Sequence, residues 1–379
     1  MPERPLIAAY YLPHYHIGEQ RLADRQQLAW SHWRLLRKNR PRFDGHRPVG
    51  PPLWGEEDEA DPDVMARKID TAVQYGIDAW LFHWYQHDDG PLFAGALERG
   101  FLGARNRERL RYALVWDNRD LLDAYPARGD DLAPVLFPGQ VDGDTLEALF
   151  DSLIDFHAKQ PNYLHVGGAP YFQIADLERF LASCGGMAEA KELLRRMRHE
   201  AVEAGLPGLH LAAQADRPIS FESVGVVAEP PALVKALGLD SVTSRRWIQH
   251  VPFLDFPTDD YRRIATRYLG HLQQALSTFS VPYIPCVSLG WDPTPHCHPD
   301  ADFIPLGYPF TPVITGNDAD AIRQALSSIQ FVLDDRPDQP ALVCIDSWND
   351  WTHGATLEPD QEHGAQYLQA VRDVFGTAY

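Results

Sequence analysis

The chain has 379 residues, 45% of them hydrophobic, which is ample for a buried core. It carries 34 lysines and arginines against 53 aspartates and glutamates, a formal charge of −19. So acidic a surface repels nucleic acid and anionic membranes, and no apolar run approaches the length of a membrane span, so neither partner is expected. Such a length is ordinary for a barrel with insertions, and without a composition break the expectation is a single domain over 1–379.

Met1-Pro2-Glu3-Arg4-Pro5 leads straight into a strand-like run at 6–11, with no basic segment and long apolar stretch before it. No secretory leader is expected. Cys184, Cys286, Cys297 and Cys344 lack metal-finger or disulfide-framework spacing and read as reduced thiols, so a cytoplasmic protein is expected. Further apolar runs come at 79–84, 112–116, 170–174, 209–213, 241–244, 283–287 and 342–346. Between them, helical periodicity fits 63–75, 92–106, 145–157, 187–204, 259–278 and 319–333, with a last helix at 364–375. Asp61-Pro62 and Asn317 stand where helix starts need a cap. Alternation of this kind calls for a parallel sheet with right-handed crossovers. Some eight repeats suggest closure into one (β/α)₈ barrel, an α/β fold of the TIM-barrel type. An open doubly wound sheet is the alternative, weakened because no glycine-rich turn comes after the first strand. Pro13, Pro126, Pro134, Pro138, Pro218, Pro252, Pro293 and Pro295 all stand soon after predicted strands. Long proline-rich loops are therefore expected on the C-terminal face, where barrel enzymes hold their sites.

The residues just beyond each strand are informative. The first run continues through Tyr10-Tyr11-Leu12-Pro13-His14-Tyr15-His16, and the second ends in His83-Trp84-Tyr85. The third ends in Trp116-Asp117-Asn118, the sixth leads into Arg245-Arg246-Trp247, and the seventh into Gly290-Trp291-Asp292. After the eighth comes Ser347-Trp348-Asn349-Asp350-Trp351-Thr352-His353. Aromatic residues beside carboxylates, amides and histidines suit sugars, whose C–H faces pack on rings while their hydroxyls need donors and acceptors. A lone tryptophan is usually core. Six such clusters at corresponding ends are harder to assign to packing, because barrel interiors prefer branched aliphatics. Tyr11, His14, Tyr15, His83, Trp84, Trp116, Asp117, Asn118, Arg245, Trp247, Trp291, Asp292, Trp348, Asn349, Trp351 and Glu358 are thus the candidate contacts to a carbohydrate.

The segment from Ser347 through Asp350, His353 and Gly354 to Glu358-Pro359-Asp360 resembles the Trp-Asn-Glu-Trp-x-Glu-Gly-x-x-x-Glu-Pro motif of glycoside hydrolase family 99 and the related WbsX-type proteins of polysaccharide loci. Tyr10-Tyr11-Leu12-Pro13-His14-Tyr15-His16 is similar to that family's Tyr-Tyr-Leu-Pro-Gln-Phe-His opening, and Gly290-Trp291-Asp292-Pro293-Thr294-Pro295 to its Gly-Trp/Tyr-Asp-x-Thr-Pro segment. The resemblance spans the chain and implies a (β/α)₈ barrel acting on glycans without a cofactor. In the hydrolases two glutamates three residues apart do the chemistry: the first engages the sugar 2-hydroxyl, the second serves as acid and then base. Here those positions hold Asp350 and His353, which the resemblance makes the catalytic pair. Aspartate keeps the carboxylate but shortens its reach. Histidine exchanges protons near neutrality, and its activity as an acid should decline above its usual pKa of about 6.5 unless Asp350 raises it.

Other readings remain open. The WbsX-type relatives are often called glycosyltransferases, so transfer in glycan or glycosylated-metabolite assembly is the main alternative. A non-catalytic glycan binder would account for the loss of both motif glutamates. His14-x-His16 with His210 and Asp346 resembles the ligand set of metal-dependent barrel hydrolases, but the sixth run has no histidine and the fourth no lysine, so no metal is expected. Asp117 and Asp292 are either loop caps or substitute acids paired with Asp350. Glu358 is read as a brace for the motif loop as much as a ligand contact.

Overall fold

In a computed structural model of the chain, residues 4–16, 31–123, 126–129, 133–214, 219–221, 226–337 and 339–376 are described; Pro218 lies outside them. Nine strand segments form the central sheet: β1 Leu6–Tyr11, β2 Ala79–His87, β3 Arg111–Trp116, β4 Ala169–Ile174, β5 His210–Gln214, β6 Ser241–Thr243, β7 Tyr283–Ile284, β8 Cys286–Ser288 and β9 Leu342–Asp346. Their order is β7-β6-β5-β4-β3-β2-β1-β9-β8, and every neighbouring pair is parallel. The two ends of this sheet, β7 and β8, are separated by Pro285 alone. Pro282 accepts from Val242 N of β6 at 2.9 Å, and Pro285 accepts from Cys344 N of β9 at 2.9 Å. One strand thus serves one neighbour before its proline and the other after it, and the sheet closes into a barrel there. Proline suits this bend because it has no N–H to donate to either ladder.

The flanking helices are α1 Pro62–Gln74, α2 Gly143–Ser152, α3 Leu177–Cys184, α4 Met187–Glu203, α5 Pro230–Leu237, α6 Tyr261–Thr278, α7 Ala319–Asp334 and α8 Gln366–Phe375. Aspartates cap five of them: Asp61, Asp142, Asp176, Asp260 and Asp318 each accept from a first-turn backbone N–H, which satisfies a donor left over by the helix. The cap of α7 is Asp318 rather than Asn317, whose Nδ2 donates to Leu289 O. The helix expected over 92–106 is much shorter. Leu92 ends a hairpin strand on β2, and Ala96–Phe101 makes a wide helical turn. Gly95, Gly100 and Gly103 weaken a regular helix there. Gly100 also lies so close to α1's approach that a Cβ on it would meet Glu59 O at 2.0 Å. Gly100→Ala is therefore expected to cost about 1–3 kcal/mol, read as a lowered urea midpoint with an unchanged slope.

Strand alternation divides the aromatic residues into two layers. On β2, Trp80 and Phe82 meet Phe101 and Trp84 meets His157, all outside the barrel, while His83 reaches Tyr10 and Asp117 inside. The loops beyond the strand ends interlock. Ala127 N donates to His296 O and His298 N to Ala127 O, and Arg42 Nη1 donates to the carbonyls of His298 and Pro299. Loops after β1, β3 and β8 thus form a roof over the C-terminal face.

Candidate active site

Asp350 and His353 sit on a single turn beyond β9. Asn349–Asp350 pairs with Ala355–Thr356, the turn Trp351–His353 lies between, and Gly354 closes it at φ 63°. That left-handed φ, with Asp292 Cβ 3.1 Å from where a Cβ would stand, requires glycine. The i,i+3 spacing brings Asp350 Oδ1 to 2.7 Å from His353 Nδ1. Asp350 Oδ2 accepts from Arg245 Nη2 at 3.0 Å and Arg246 Nη2 at 2.7 Å, while Arg245 Nε binds Asp346 Oδ1 at 2.8 Å. Burial would raise the Asp350 pKa, but His353, Arg246 and Arg245 outweigh it and hold the carboxyl well below the usual range. Burial prevails at His353, lowering its pKa despite the pull of Asp350. That shift favours the neutral imidazole, the form that accepts a proton.

A cleft of about 310 Å³ opens beside this pair, lined by Tyr85, Asp117, Arg119, Arg246, Trp291, Tyr308 and His353 among others. Asp117 holds His83 Nδ1 at 2.7 Å and is itself gripped by Arg119 at 2.7 and 3.0 Å. Burial opposes the Asp117 charge, but Arg119 and His83 keep its pKa well below the usual range. Burial and Arg245 push His83 down to about 4. Three arginines balance Asp117, Asp346 and Asp350, so the cleft is polar yet close to neutral, which suits an uncharged sugar. A larger cavity, about 550 Å³, lies beyond Trp291 and contains Asp292 and Trp351 but none of Asp117, Asp350 or His353. Asp117, Arg246 and His353 border the smaller one.

Of the candidates named from sequence, Asp350, His353, Arg245, Asp117, His83 and Trp291 come together here. His14, bonded through Nε2 to the Tyr85 hydroxyl at 3.0 Å, flanks them. The others do not reach the cleft. Tyr11 faces outward between Trp80 and Phe82, and Tyr10 takes the inward position beneath Arg245. Trp84 packs on His157, Trp116 on Phe180, Trp247 on Tyr268 and Trp348 on Trp80, all in the layer outside the barrel. Tyr15 and Trp351 form a small cluster with Trp33, and the Tyr15 hydroxyl accepts from Thr352 N. Asn118 ties its loop to both backbone groups of Asp176. Asp292 caps Thr294 N and binds His46. His16 Nδ1 is bonded to Pro13 O, and among the described residues no group of three or more histidines, cysteines or acids is arranged to hold a metal ion.

Beneath the motif lies an ionic knot. Lys68 of α1, fully buried, donates to Glu59 at 2.8 Å and lies 2.9 Å from Glu358. Asn349 Nδ2 donates to Glu59 and to Leu12 O, and Asn349 Oδ1 accepts from Leu12 N. Asn349 and Glu358 thus brace the turn that carries Asp350. Burial, reinforced by Glu59 against Lys68, pushes Glu358 up to about 7, because one lysine is shared by two buried carboxylates.

Sequence reasoning passed over Tyr308, Arg119 and Arg246 as site residues. Arg246 stood beside a named arginine, and Arg119 two residues after Asp117; Tyr308 had no local signal.

The profile of the family described as glycosyltransferase WbsX matches residues 7–371. The chain belongs to that WbsX family. Across 98% of its length it is 26% identical to the protein WxcX of Xanthomonas campestris pv. campestris, in two strains. It spans about half the length of these curated relatives, 50% in each case. Among solved structures, this WbsX-family fold is similar to a glycoside hydrolase-like protein, with TM-score 0.60 and 15% identity over 99% of this chain and 95% of the other. It is also similar to a GH99 endo-alpha-mannosidase from Bacteroides thetaiotaomicron, with TM-score 0.55 and 14% identity over 98% and 96%. These likenesses agree in one barrel architecture.

Proposed function

We propose that this chain is a carbohydrate-active enzyme that works at a glycosidic bond, in the manner of a glycoside hydrolase. The observation that carries this reading is the Asp350–His353 pair, placed where a polar, near-neutral cleft opens over the strand ends. Asp350 fixes the imidazole and stabilises its charged form, while His353 is the base to which the proton of an incoming hydroxyl is delivered. Asp117, Arg246 and Trp291 supply the hydrogen bonds and the ring face that hold a sugar. In hydrolysis the incoming hydroxyl is water. The family description favours a second reading, in which it belongs to an acceptor sugar and the reaction is transfer. A cytoplasmic location accords with four cysteines that form no disulfide, three of them buried; among the described residues no helix is long and apolar enough to cross a membrane.

The test is to incubate the purified chain with panels of neutral oligosaccharides and of sugar nucleotides with acceptors, scoring released reducing ends and transfer products by mass spectrometry. Asp350→Asn should lower turnover of the substrate so found by about 100-fold or more with little change in KM. It should also lower the melting temperature, since buried Arg245 and half-buried Arg246 lose their shared counter-charge. Full turnover in both Asp350→Asn and His353→Ala would show the chemistry to lie elsewhere.

A further inference from the structure

His353 presents neither ring nitrogen bare to the cleft. Nδ1 is bonded to Asp350 Oδ1 at 2.7 Å, and Nε2 lies 2.9 Å from the Tyr308 hydroxyl. Beside an ionised carboxylate Nδ1 carries the hydrogen, which leaves Nε2 as the acceptor and the Tyr308 O–H as its donor. Asp350 is fully buried, whereas Tyr308 is 45% exposed and lines the cleft with Asp117, Arg246 and Trp291. The phenol ring is held between its neighbours, stacked at 21° on His353 and tilted against Trp291. Carboxylate, imidazole and hydroxyl in this order form the arrangement by which a weak hydroxyl is made reactive: the first fixes the tautomer and the second accepts the proton.

We propose that Tyr308 is the catalytic contact of this site, and that His353 and Asp350 act through it. The proposal rests on the glycosidic reading and deepens it. The incoming hydroxyl gives its proton to Tyr308 Oη as Tyr308 passes its own to His353 Nε2. The hydroxyl oxygen bonds to the anomeric carbon, and the bond from that carbon to the departing oxygen breaks, the electron pair leaving with that oxygen. The departing oxygen takes a proton from water in the open cleft, and the imidazolium returns its proton to the hydroxide so formed. Charge and protons balance over the cycle without a further reactant.

A tyrosine that merely packs over His353 would have an ordinary phenol, and this can be read without knowing the sugar. Benzenesulfonyl fluoride reacts with an activated phenol: the Oη–S bond forms, fluoride leaves, and the phenol proton passes to the neighbouring base. The full-length chain is treated with this reagent and the modified peptide is quantified by mass spectrometry. Tyr308 should be labelled roughly tenfold or more faster in the wild type than in His353→Gln, which keeps a polar group there but no base of comparable strength. The labelling rate should fall as pH drops through the lowered pKa of His353. With a substrate found among the oligosaccharides or sugar nucleotides, Tyr308→Phe should lose kcat while KM holds, and should flatten the acid limb of the pH profile. Equal labelling of Tyr308 in wild type and His353→Gln overturns the relay, as does full kcat in Tyr308→Phe. Labelling as expected with no turnover of any glycan supports the relay and overturns the glycosidic reading.

Discussion

Replacing His353 by alanine is expected to cut turnover about 10²–10⁴-fold, the usual contribution of one acid–base group. KM should change little, because the ring is engaged by Asp350, Tyr308 and Trp291 rather than bare to the cleft. The pH profile carries more information than the magnitude. Burial lowers the His353 pKa below its ordinary 6.5, so the base form predominates at neutrality and kcat/KM should fall on the acid side of that value. An acid limb above 6.5 would contradict the lowered pKa, and activity that declines with rising pH through neutrality would mean that His353 is used as an acid instead. His353→Glu should keep more turnover than the alanine variant. It restores a base beside Tyr308 and matches the motif of the hydrolases, although it also sets a second carboxylate against Asp350. Arg246 Nη2, 3.4 Å from the present Nδ1, partly offsets that repulsion.

Lys68→Met is expected to destabilise the fold more than any of the other substitutions, at about 3–5 kcal/mol, the usual cost of breaking a buried ion pair from one side. Two buried glutamates would lose their counter-charge while methionine fills the volume. Glu358 already has a folded-state pKa raised to about 7, against an ordinary 4.5. Its contribution is fully present below 4.5 and is lost as pH rises through about 7. Without Lys68 that loss deepens, so the stability gap between wild type and variant should be wider at pH 8 than at pH 5 in urea unfolding. Glu358→Gln should cost less, since an amide still accepts from Lys68 and needs no proton. A gap that does not widen with pH would contradict the raised Glu358 pKa.

The barrel was legible because buried parallel strands and their helices leave strong, regularly spaced patterns, and the position of Asp350 and His353 beyond the last strand was legible from the apolar run before them. Which face each strand residue would take was less so. Tyr10 and Tyr11 are adjacent and chemically alike, and only sheet closure decides that Tyr10 points inward; a shift of one residue exchanges the faces. The same uncertainty misled for Trp84, Trp116 and Trp247. They looked like sugar platforms at strand ends but fill the layer between strands and helices, where large rings add much buried area. Tyr308 was invisible for another reason. It comes from the loop after β8, 45 residues before His353, and only the tertiary path of that loop brings the hydroxyl to the imidazole.

The seam at Pro285 bears on how the molecule comes into being. Leu6 pairs with Leu342 and Ile7 with Val343, so one edge of the barrel's first strand is satisfied by the barrel's last. During synthesis from the N-terminus the backbone groups on that edge have no sheet partner until residue 346 has emerged, and β8 waits for the same strand. The cylinder therefore cannot close progressively; it closes once, late, when β9 slots between β1 and β8. Until then the nascent chain carries two open strand edges, the condition under which barrels are most exposed to wrong pairing and to chaperone capture.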